Sequence, residues 1–211
     1  LDGAVGSSPE DPLSFEHSGT SFVHALEDTA LPRRVAFSPD LGIVPMESEV
    51  AEICAAAAQR FTEIGAEVCH AAPDFSGVIE AFQTLRGILI AGLMEDLLKD
   101  HREQIAPEIV WNIEKGLAVT NAELLSAERI RWQLYHRMAA FFEHYDLLLC
   151  PTVSVPPFPM EQRYVETIAG QPTETYIDWI AITFAVTMTS CPALSLPAGF
   201  TSSGLPIALQ V

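Results

Sequence analysis

The chain has 211 residues, of which 49% are hydrophobic, and this is enough to bury the core of one large domain. Acidic residues outnumber basic ones by 28 to 11, and the formal net charge of −17 would repel nucleic-acid phosphates and anionic lipid headgroups. We therefore expect no direct nucleic-acid partner and no membrane partner. The apolar runs are also interrupted before the roughly 18 residues that a membrane-spanning helix needs.

Cysteine usage gives an expectation about the compartment. Cys54, Cys69, Cys150 and Cys191 show no C-x-x-C spacing, and each lies in an apolar stretch. Free cysteine in such surroundings behaves as a small hydrophobic residue. The sequence therefore predicts a reducing compartment, and we expect the protein to be cytoplasmic.

The first third of the chain predicts an irregular start followed by a β-α-β unit. Residues 1–31 are polar and contain several glycines, serines and prolines, which predicts an irregular lead-in. A strand is predicted at Arg34–Phe37, then a helix with Ser48 as N-cap and Gly65 as C-cap, then a strand at Glu67–His70. This order predicts parallel strands joined by a right-handed crossover.

The middle of the chain is predicted to be mainly helical. Two long amphipathic patterns run from about Val78 to Asp100 and from about Asn121 to Tyr145, with a shorter helix at Pro107–Lys115 between them. We expect these helices to cover a sheet. The segment Asp146–Pro151 is apolar after its first residue and ends in proline, as is typical of a central strand buried on both faces.

The last part of the chain predicts a loop, a helix and a hairpin. Residues 153–171 are rich in proline and low in periodicity, which indicates a long loop near a functional face. A helix is predicted from Thr173 to Ser190, then strands at Pro192–Phe200 and Ile207–Val211 around a turn at Thr201–Gly204. Together the elements predict an α/β fold in which helices cover a mixed sheet.

Several motifs resemble those of the amidase signature family. Tyr145–Thr152 is similar to the family's Tyr-Asp-apolar strand that ends in Pro-Thr. Ser190–Gly199 and Gly204–Gln210 are similar to its late hairpin, G-x-P-A-x-S-x-P-x-G followed by G-x-P-x-G-x-Q. Asp11–Ser14 and Arg34–Phe37 match the stretch that follows its catalytic core. The resemblance covers essentially the whole chain.

The resemblance implies that residues 1–211 form the C-terminal portion, about half, of a single amidase signature domain, with no separate domains. The sequence departs from the family at two points, since Ser190 and Ala208 stand where the family often or usually has glycine. This predicts slightly different close packing in the same fold.

The reaction implied by the resemblance is hydrolysis of a carboxamide carbon-nitrogen bond, with no metal or organic cofactor. In the family a lysine, a bridging serine and a serine nucleophile lie upstream of the matched region. We therefore expect no catalytic residue in this chain and an N-terminal catalytic segment outside it. A lysine acts as a base only where burial keeps it neutral, whereas Lys99 and Lys115 lie next to charged residues. The six histidines show no metal-ligand spacing, which predicts no metal site.

The resemblance also gives an expectation about substrate. The amidotransferase A-subunit branch of the family binds glutamine through an arginine before a mid-chain glycine and an acidic residue before the late hairpin. With Gly116 and Pro192 as landmarks, Trp111 lies near the arginine position and Ile180 at or near the acidic one. We therefore expect no charged clamp, and a pocket that prefers a neutral or aromatic amide. The predicted substrate-binding residues are Trp111, Pro151, Thr152, Ile180, Phe184 and Thr187; for the large apolar ones, ordinary core packing is the alternative.

Two other interpretations stay open. One is a noncatalytic subunit or assembly module that completes a partner's pocket, such as an amidotransferase A-subunit-like component. The other is a fragment without a function of its own. The expected partners are a small-molecule amide and the N-terminal catalytic segment. We also expect an exposed apolar face where that segment would pack, and a homodimer formed through it.

Overall fold

The computed structural model describes residues 1–16, 19, 21–27 and 30–211, and divides into a unit Leu1–Pro32 and a unit Arg33–Val211. In the first unit, helix α1 (Phe22–Ala25) begins after Ser21, whose side chain accepts hydrogen bonds from the backbone amides of Val23 and His24. The stretch predicted to be an irregular lead-in thus contains one short helix. Its residues 17, 18, 20, 28 and 29 lie outside the described part of the chain.

The second unit is built on a mixed five-stranded sheet with the order β2-β1-β3-β7-β6. Strand β1 is parallel to β2 and β3, whereas β7 is antiparallel to β3 and β6. A separate antiparallel pair is formed by β4 and β5. In chain order the strands are β1 (Arg34–Phe37), β2 (Glu67–His70), β3 (Leu147–Pro151), β4 (Thr167–Ile168), β5 (Gln171–Pro172), β6 (Ser195–Phe200) and β7 (Pro206–Gln210). The predictions of a mixed sheet and of a buried central strand at β3 are confirmed.

Helices cover both faces of this sheet. They are α2 (Ser48–Gln59), α3 (Val78–His101), α5 (Asn121–Phe141) and α6 (Ala181–Thr187), while α4 (Pro107–Leu117) packs on α3. Because successive strand residues point to opposite faces, Val35 packs with the α2 side while Ala36 packs with the side formed by α3, α5 and α6. The predicted α/β architecture, with helices on a mixed sheet, is confirmed.

The ends of the predicted helices hold with some corrections. Gly65 has a φ of 88° and ends the turn after α2, as predicted. Ser48 is the first residue of α2 and not its N-cap, because Glu47 holds that position and makes no side-chain cap. A capping box formed by Thr120 and Glu123 stabilises the start of helix α5. It ends at Phe141, before the predicted Tyr145.

The helix predicted from Thr173 to Ser190 is much shorter than expected. A turn of 3-10 helix, Asp178–Ile180, precedes α6. The Asp178 carboxylate accepts hydrogen bonds from the amides of Glu174 and Thr175 at 2.6 and 2.9 Å, which fixes a local turn where helix was predicted. At the other end, Ser190 has a φ of 61°, a conformation that favours glycine. Glycine, which the resemblance implies at this position, would adopt this conformation without strain.

The Tyr-Asp motif before β3 has a structural role. The Asp146 carboxylate accepts hydrogen bonds from the backbone amides of Arg34 and Arg33, at 2.9 and 2.7 Å. These bonds hold the pKa of Asp146 below its usual range. The guanidinium of Arg34 lies 5.0 Å from the ring centre of Tyr145. The motif therefore joins the starts of the neighbouring strands β1 and β3.

Helices α3 and α4 cross with their backbones in direct contact. A Cβ atom built on Gly116 would lie 1.9 Å from the carbonyl oxygen of Gly87 and 2.8 Å from the Cβ atom of Ala91. Only a residue without a side chain fits between these backbones. The crossing brings residues of α3 next to residues of α4, which matters for the candidate site.

All four cysteines have free thiols, and Cys54 and Cys150 are buried while Cys69 and Cys191 are half-buried. Among the residues that the structure describes, no helix is both long and apolar enough to cross a bilayer.

Candidate active site

The carboxyl end of β3 is tied to the late hairpin and to α6. Pro151 is buried, and the amide of Thr152 donates to the carbonyl oxygen of Ala208 at 3.0 Å. The Thr152 and Ser195 hydroxyls are 2.9 Å apart and share a hydrogen bond. The Thr183 hydroxyl on α6 donates to the Thr152 carbonyl oxygen. The motifs that carry the family resemblance therefore meet at one end of the central strand.

A cavity of about 360 Å³ opens at this strand end. Thr152, Phe158, Trp179 and Ala208 are among its lining residues, which are mainly apolar. The loop that follows β3 forms one side of it, in agreement with the general placement of ligand sites beyond the carboxyl ends of strands in α/β folds. Of the predicted substrate-binding residues, only Thr152 lines this cavity.

The predicted apolar residues come together around Tyr176. Trp111 on α4 is 37% exposed, and its ring meets the Tyr176 ring edge-on, with centroids 6.1 Å apart. Ile180 and Phe184 pack in the same cluster as Tyr176. The Phe184 ring stacks on the Phe82 ring, with centroids 3.9 Å apart and planes 2° from parallel.

Thr187 lies on the exposed side of α6, and its hydroxyl donates to the Thr183 carbonyl oxygen at 3.3 Å. The six predicted residues therefore form two groups that α6 connects. Trp111 contacts Tyr176, and Ile180 and Phe184 share its apolar cluster. Thr152 and Thr187 are both hydrogen-bonded to Thr183, and Pro151 is the residue before Thr152. A role of these residues in substrate binding stays a prediction.

A polar network beside the apolar group was not predicted from the sequence. The Arg86 guanidinium on α3 donates to the Asn112 side-chain oxygen and to the Tyr176 hydroxyl. The Asn112 amide nitrogen donates to the Glu108 carbonyl oxygen at 2.6 Å. Counting from the landmark Gly116 identifies only residues close to it in the chain. It therefore could not identify Arg86, which lies on α3 and contacts α4. One signal was available, because Gln83 and Arg86 are three residues apart in a mainly apolar stretch of helix.

Neither lysine of the chain is placed as a general base. Lys99 is exposed, and hydrogen bonds from its ammonium to the carboxylates of Glu95 and Asp96 raise its pKa further. A lysine base needs the opposite shift. Lys115 holds its ammonium 4.8 Å from the ring centre of Trp111. No serine side chain accepts or donates a hydrogen bond to either lysine within the described residues.

The described residues, which leave out His17, contain no group of three or more His, Cys, Asp or Glu side chains able to hold a metal ion.

The fold is a mixed sheet covered by helices, in which the late hairpin and the Pro-Thr strand end meet at α6. The chain belongs to the Amidase family, whose model matches residues 1–211. The prediction of membership in the amidase signature family is thereby confirmed.

Individual relatives agree with this assignment. An acylamidase of Rhodococcus erythropolis is 31% identical over 216 residues, covering 100% of this chain and 45% of the relative. The A-subunit of the glutamyl-tRNA(Gln) amidotransferase of Moorella thermoacetica is 28% identical over 236 residues, covering 100% and 47%. The chain spans about half the length of the curated relatives it matches.

Solved structures show the same fold. The crystal structure of a bacterial aryl acylamidase belonging to the amidase signature enzymes family superimposes with a TM-score of 0.83 at 23% identity. The match covers 97% of this chain and 44% of that one. A 6-aminohexanoate cyclic dimer hydrolase gives a TM-score of 0.79 at 18% identity, with 97% of this chain covered.

Proposed function

We propose that this chain supplies the substrate-binding part of an amidase that hydrolyses the carbon-nitrogen bond of a carboxamide. The observation that carries the proposal is the match of the family model to all 211 residues. The geometry at the end of β3 supports it. There, Thr152 links the central strand to the hairpin and to α6 and also lines the cavity.

The proposed division of labour follows from the chemistry of amide hydrolysis. A serine hydroxyl attacks an amide only when a base takes its proton, and a preorganised donor must stabilise the oxyanion that forms. The serine and the lysine base would come from the N-terminal catalytic segment proposed above. This chain would bind the acyl or amine group of the substrate beside that segment, through the predicted residues around Tyr176 and Thr152.

A second candidate is a noncatalytic or assembly subunit. The match to an amidotransferase A-subunit over the whole chain favours it. Exposed apolar side chains also favour a protein partner, because large apolar patches rarely stay uncovered. Leu89 and Leu93 on α3 are 62% and 75% exposed, and Phe200 on β6 is 70% exposed. Under either proposed function, these exposed side chains would contact the rest of an amidase domain or a second copy of the chain.

We place the protein in the cytoplasm. The four free thiols support this proposal, since an oxidising compartment favours disulfide formation.

An activity comparison tests the proposed function. The 211-residue chain and the product of the whole reading frame would be assayed on aryl and aliphatic amides. We expect the chain alone to give no turnover above background, because no described serine contacts a lysine. We expect the whole product to hydrolyse at least one amide class.

Turnover by the chain alone that survives purification, and that disappears on replacing one of its serines with alanine, would contradict the proposal. A whole product that hydrolyses no amide by itself, yet gains activity on adding a second protein, would favour the assembly subunit.

A further inference from the structure

We propose that Arg86 and Lys115 form an anion-binding subsite on the Trp111–Tyr176 ring pair, and that this subsite holds a carboxylate group of the amide substrate. The inference rests on the proposed function and departs from the expectation of an uncharged pocket, because it assigns the substrate a carboxylate group. The sequence predicted a neutral or aromatic amide. The structure adds an aromatic surface with two cations beside it.

Arg86 and Lys115 stand out in the distribution of charge. Seven of the 11 lysines and arginines contact a carboxylate of the described residues within 4.0 Å, as a chain with 28 acidic residues would predict. The other four are Arg33, Arg86, Lys115 and Arg129, of which Arg33 and Arg129 are exposed and only Arg86 and Lys115 are partly buried. Both are half-buried, and a cation that is partly removed from water without a counter-ion is unfavourable. An anionic ligand would supply the missing charge.

Both cations also lie on the same pair of rings. The Arg86 guanidinium carbon is 5.5 Å from the ring centre of Tyr176, and the Lys115 ammonium is 4.8 Å from that of Trp111. The two rings are in edge-on contact. Each ring of the pair therefore has a cation over it, and the two cation-ring contacts belong to one aromatic cluster.

The Arg86 donors are held in a fixed orientation. Two of its N–H groups bind Asn112 and Tyr176, which fixes the plane of the guanidinium. A guanidinium carries further N–H donors in a rigid fork that matches a carboxylate. Asn112 is almost completely buried, and its amide also binds the backbone of α4. The guanidinium is therefore preorganised, which lowers the entropic cost of binding a ligand.

An incomplete hydrogen-bond network lies one helical turn from Arg86. Gln83 is 5% exposed, and its amide nitrogen donates to the Thr175 hydroxyl at 3.3 Å. Its Oε1 atom has no hydrogen-bonding partner within the described residues. A buried acceptor of this kind normally has a partner. A water or an N–H group carried by the ligand would complete the network next to Arg86.

The alternative role of Arg86 is purely structural, as a link between α3, α4 and the segment around Tyr176. The two roles differ in what they predict for paired substrates. A structural link affects charged and neutral amides equally, whereas a carboxylate subsite affects their ratio. The experiment is therefore built on that ratio.

The substrate pair is 4-carbamoylbenzoate and terephthalamide, which have the same shape and differ in one negative charge. The product of the whole reading frame would be assayed as wild type and as the variants Arg86→Gln, Arg86→Lys, Lys115→Gln and Arg129→Gln. Arg129 is the matched control, because it is exposed on α5 and also contacts no carboxylate of the described residues within 4.0 Å.

We expect Arg86→Gln to lower the ratio of kcat/KM for the carboxylate over the neutral amide by about tenfold or more, chiefly through KM, because charge-assisted hydrogen bonds are about twice as strong as neutral ones. Lys115→Gln should lower the ratio less, and Arg86→Lys should keep part of it. Arg129→Gln should leave it unchanged. An unchanged ratio in folded Arg86→Gln and Lys115→Gln proteins would overturn the proposal. If Arg86→Gln does not fold, Lys115→Gln and Arg86→Lys decide alone.

Direct binding separates this proposal from the proposed function. Calorimetric titration with 4-carbamoylbenzoate should show binding that Arg86→Gln removes and Arg129→Gln keeps, even in a protein without turnover. Such a result would support the subsite while the proposed hydrolysis fails. Absence of binding to the wild type would overturn the subsite. Inorganic phosphate that competes as strongly as the organic carboxylate would overturn its assignment to the substrate.

Discussion

The variant Gly116→Ala should lose about 3 kcal/mol or more of its free energy of unfolding, at the upper end of what overpacking costs. The added methyl group would lie 1.9 Å from the Gly87 carbonyl oxygen and 2.4 Å from its carbon. These are backbone atoms in the middle of α3, so no side-chain rotation can relieve the overlap. Helices α3 and α4 would have to move apart, and Arg86 would lose its contact with Asn112.

Chemical unfolding of the variant measures this loss, and two glycines of α3 serve as controls. Gly92 has no atom within 4 Å of its built Cβ atom, so Gly92→Ala should gain up to about 1 kcal/mol from helix propensity. The built Cβ atom of Gly87 lies 3.2 Å from the Gly116 Cα atom, so Gly87→Ala should be intermediate. A Gly116→Ala protein as stable as the parent would show that the two backbones are not in contact.

The variant Phe184→Ala should lose about 3–5 kcal/mol of stability, the usual cost of deleting a buried phenylalanine. Phe184 is 4% exposed and stacks on Phe82 in the cluster that contains Tyr176. Removing the ring leaves a cavity beside α3 and α6. The thermal midpoint and the unfolding free energy measure the effect, with Phe200→Ala as the control because Phe200 is 70% exposed.

The same variant tests the proposed role of Phe184 in substrate binding. If its ring also contacts substrate, the discrimination between aromatic and small aliphatic amides should change by about 1–3 kcal/mol in kcat/KM. If both amide classes lose activity equally and the midpoint falls sharply, Phe184 is a core residue only. A midpoint that stays at the value of the parent would contradict the packing described above.

The strands could be predicted from the sequence because their signals are local. Arg34–Phe37 and Glu67–His70 are short segments with β-forming apolar residues between turn residues, and the structure places β1 and β2 at the same bounds. Gly65 marks a helix end by its own backbone preference. The N-terminal part of the helix predicted at Thr173–Ser190 failed because the Asp178 side chain binds amides that precede it, and this competes with helix formation.

The candidate site could be predicted only in part, because its contacts join distant parts of the chain. Arg86 meets Asn112 and Tyr176 across 26 and 90 positions, and the glycine contact between α3 and α4 allows that approach. Periodicity identifies the buried face of each helix but not its neighbour. Trp111 and Ile180 were predicted as substrate-binding residues only from their distance along the chain to residues that match family motifs. That both residues lie near Tyr176 could be seen only in the three-dimensional structure.

The two buried cysteines give the chain an internal chemical probe of unfolding. Burial raises the pKa of Cys150 to about 12, and burial together with the nearby Cys150 raises the pKa of Cys54 to about 12. Near neutral pH almost none of either thiol is the reactive thiolate, and neither is accessible to an alkylating reagent. The half-buried Cys69 and Cys191 should react first. The later mass increments would then report how often the strands and α2 separate in the native protein, without any introduced label.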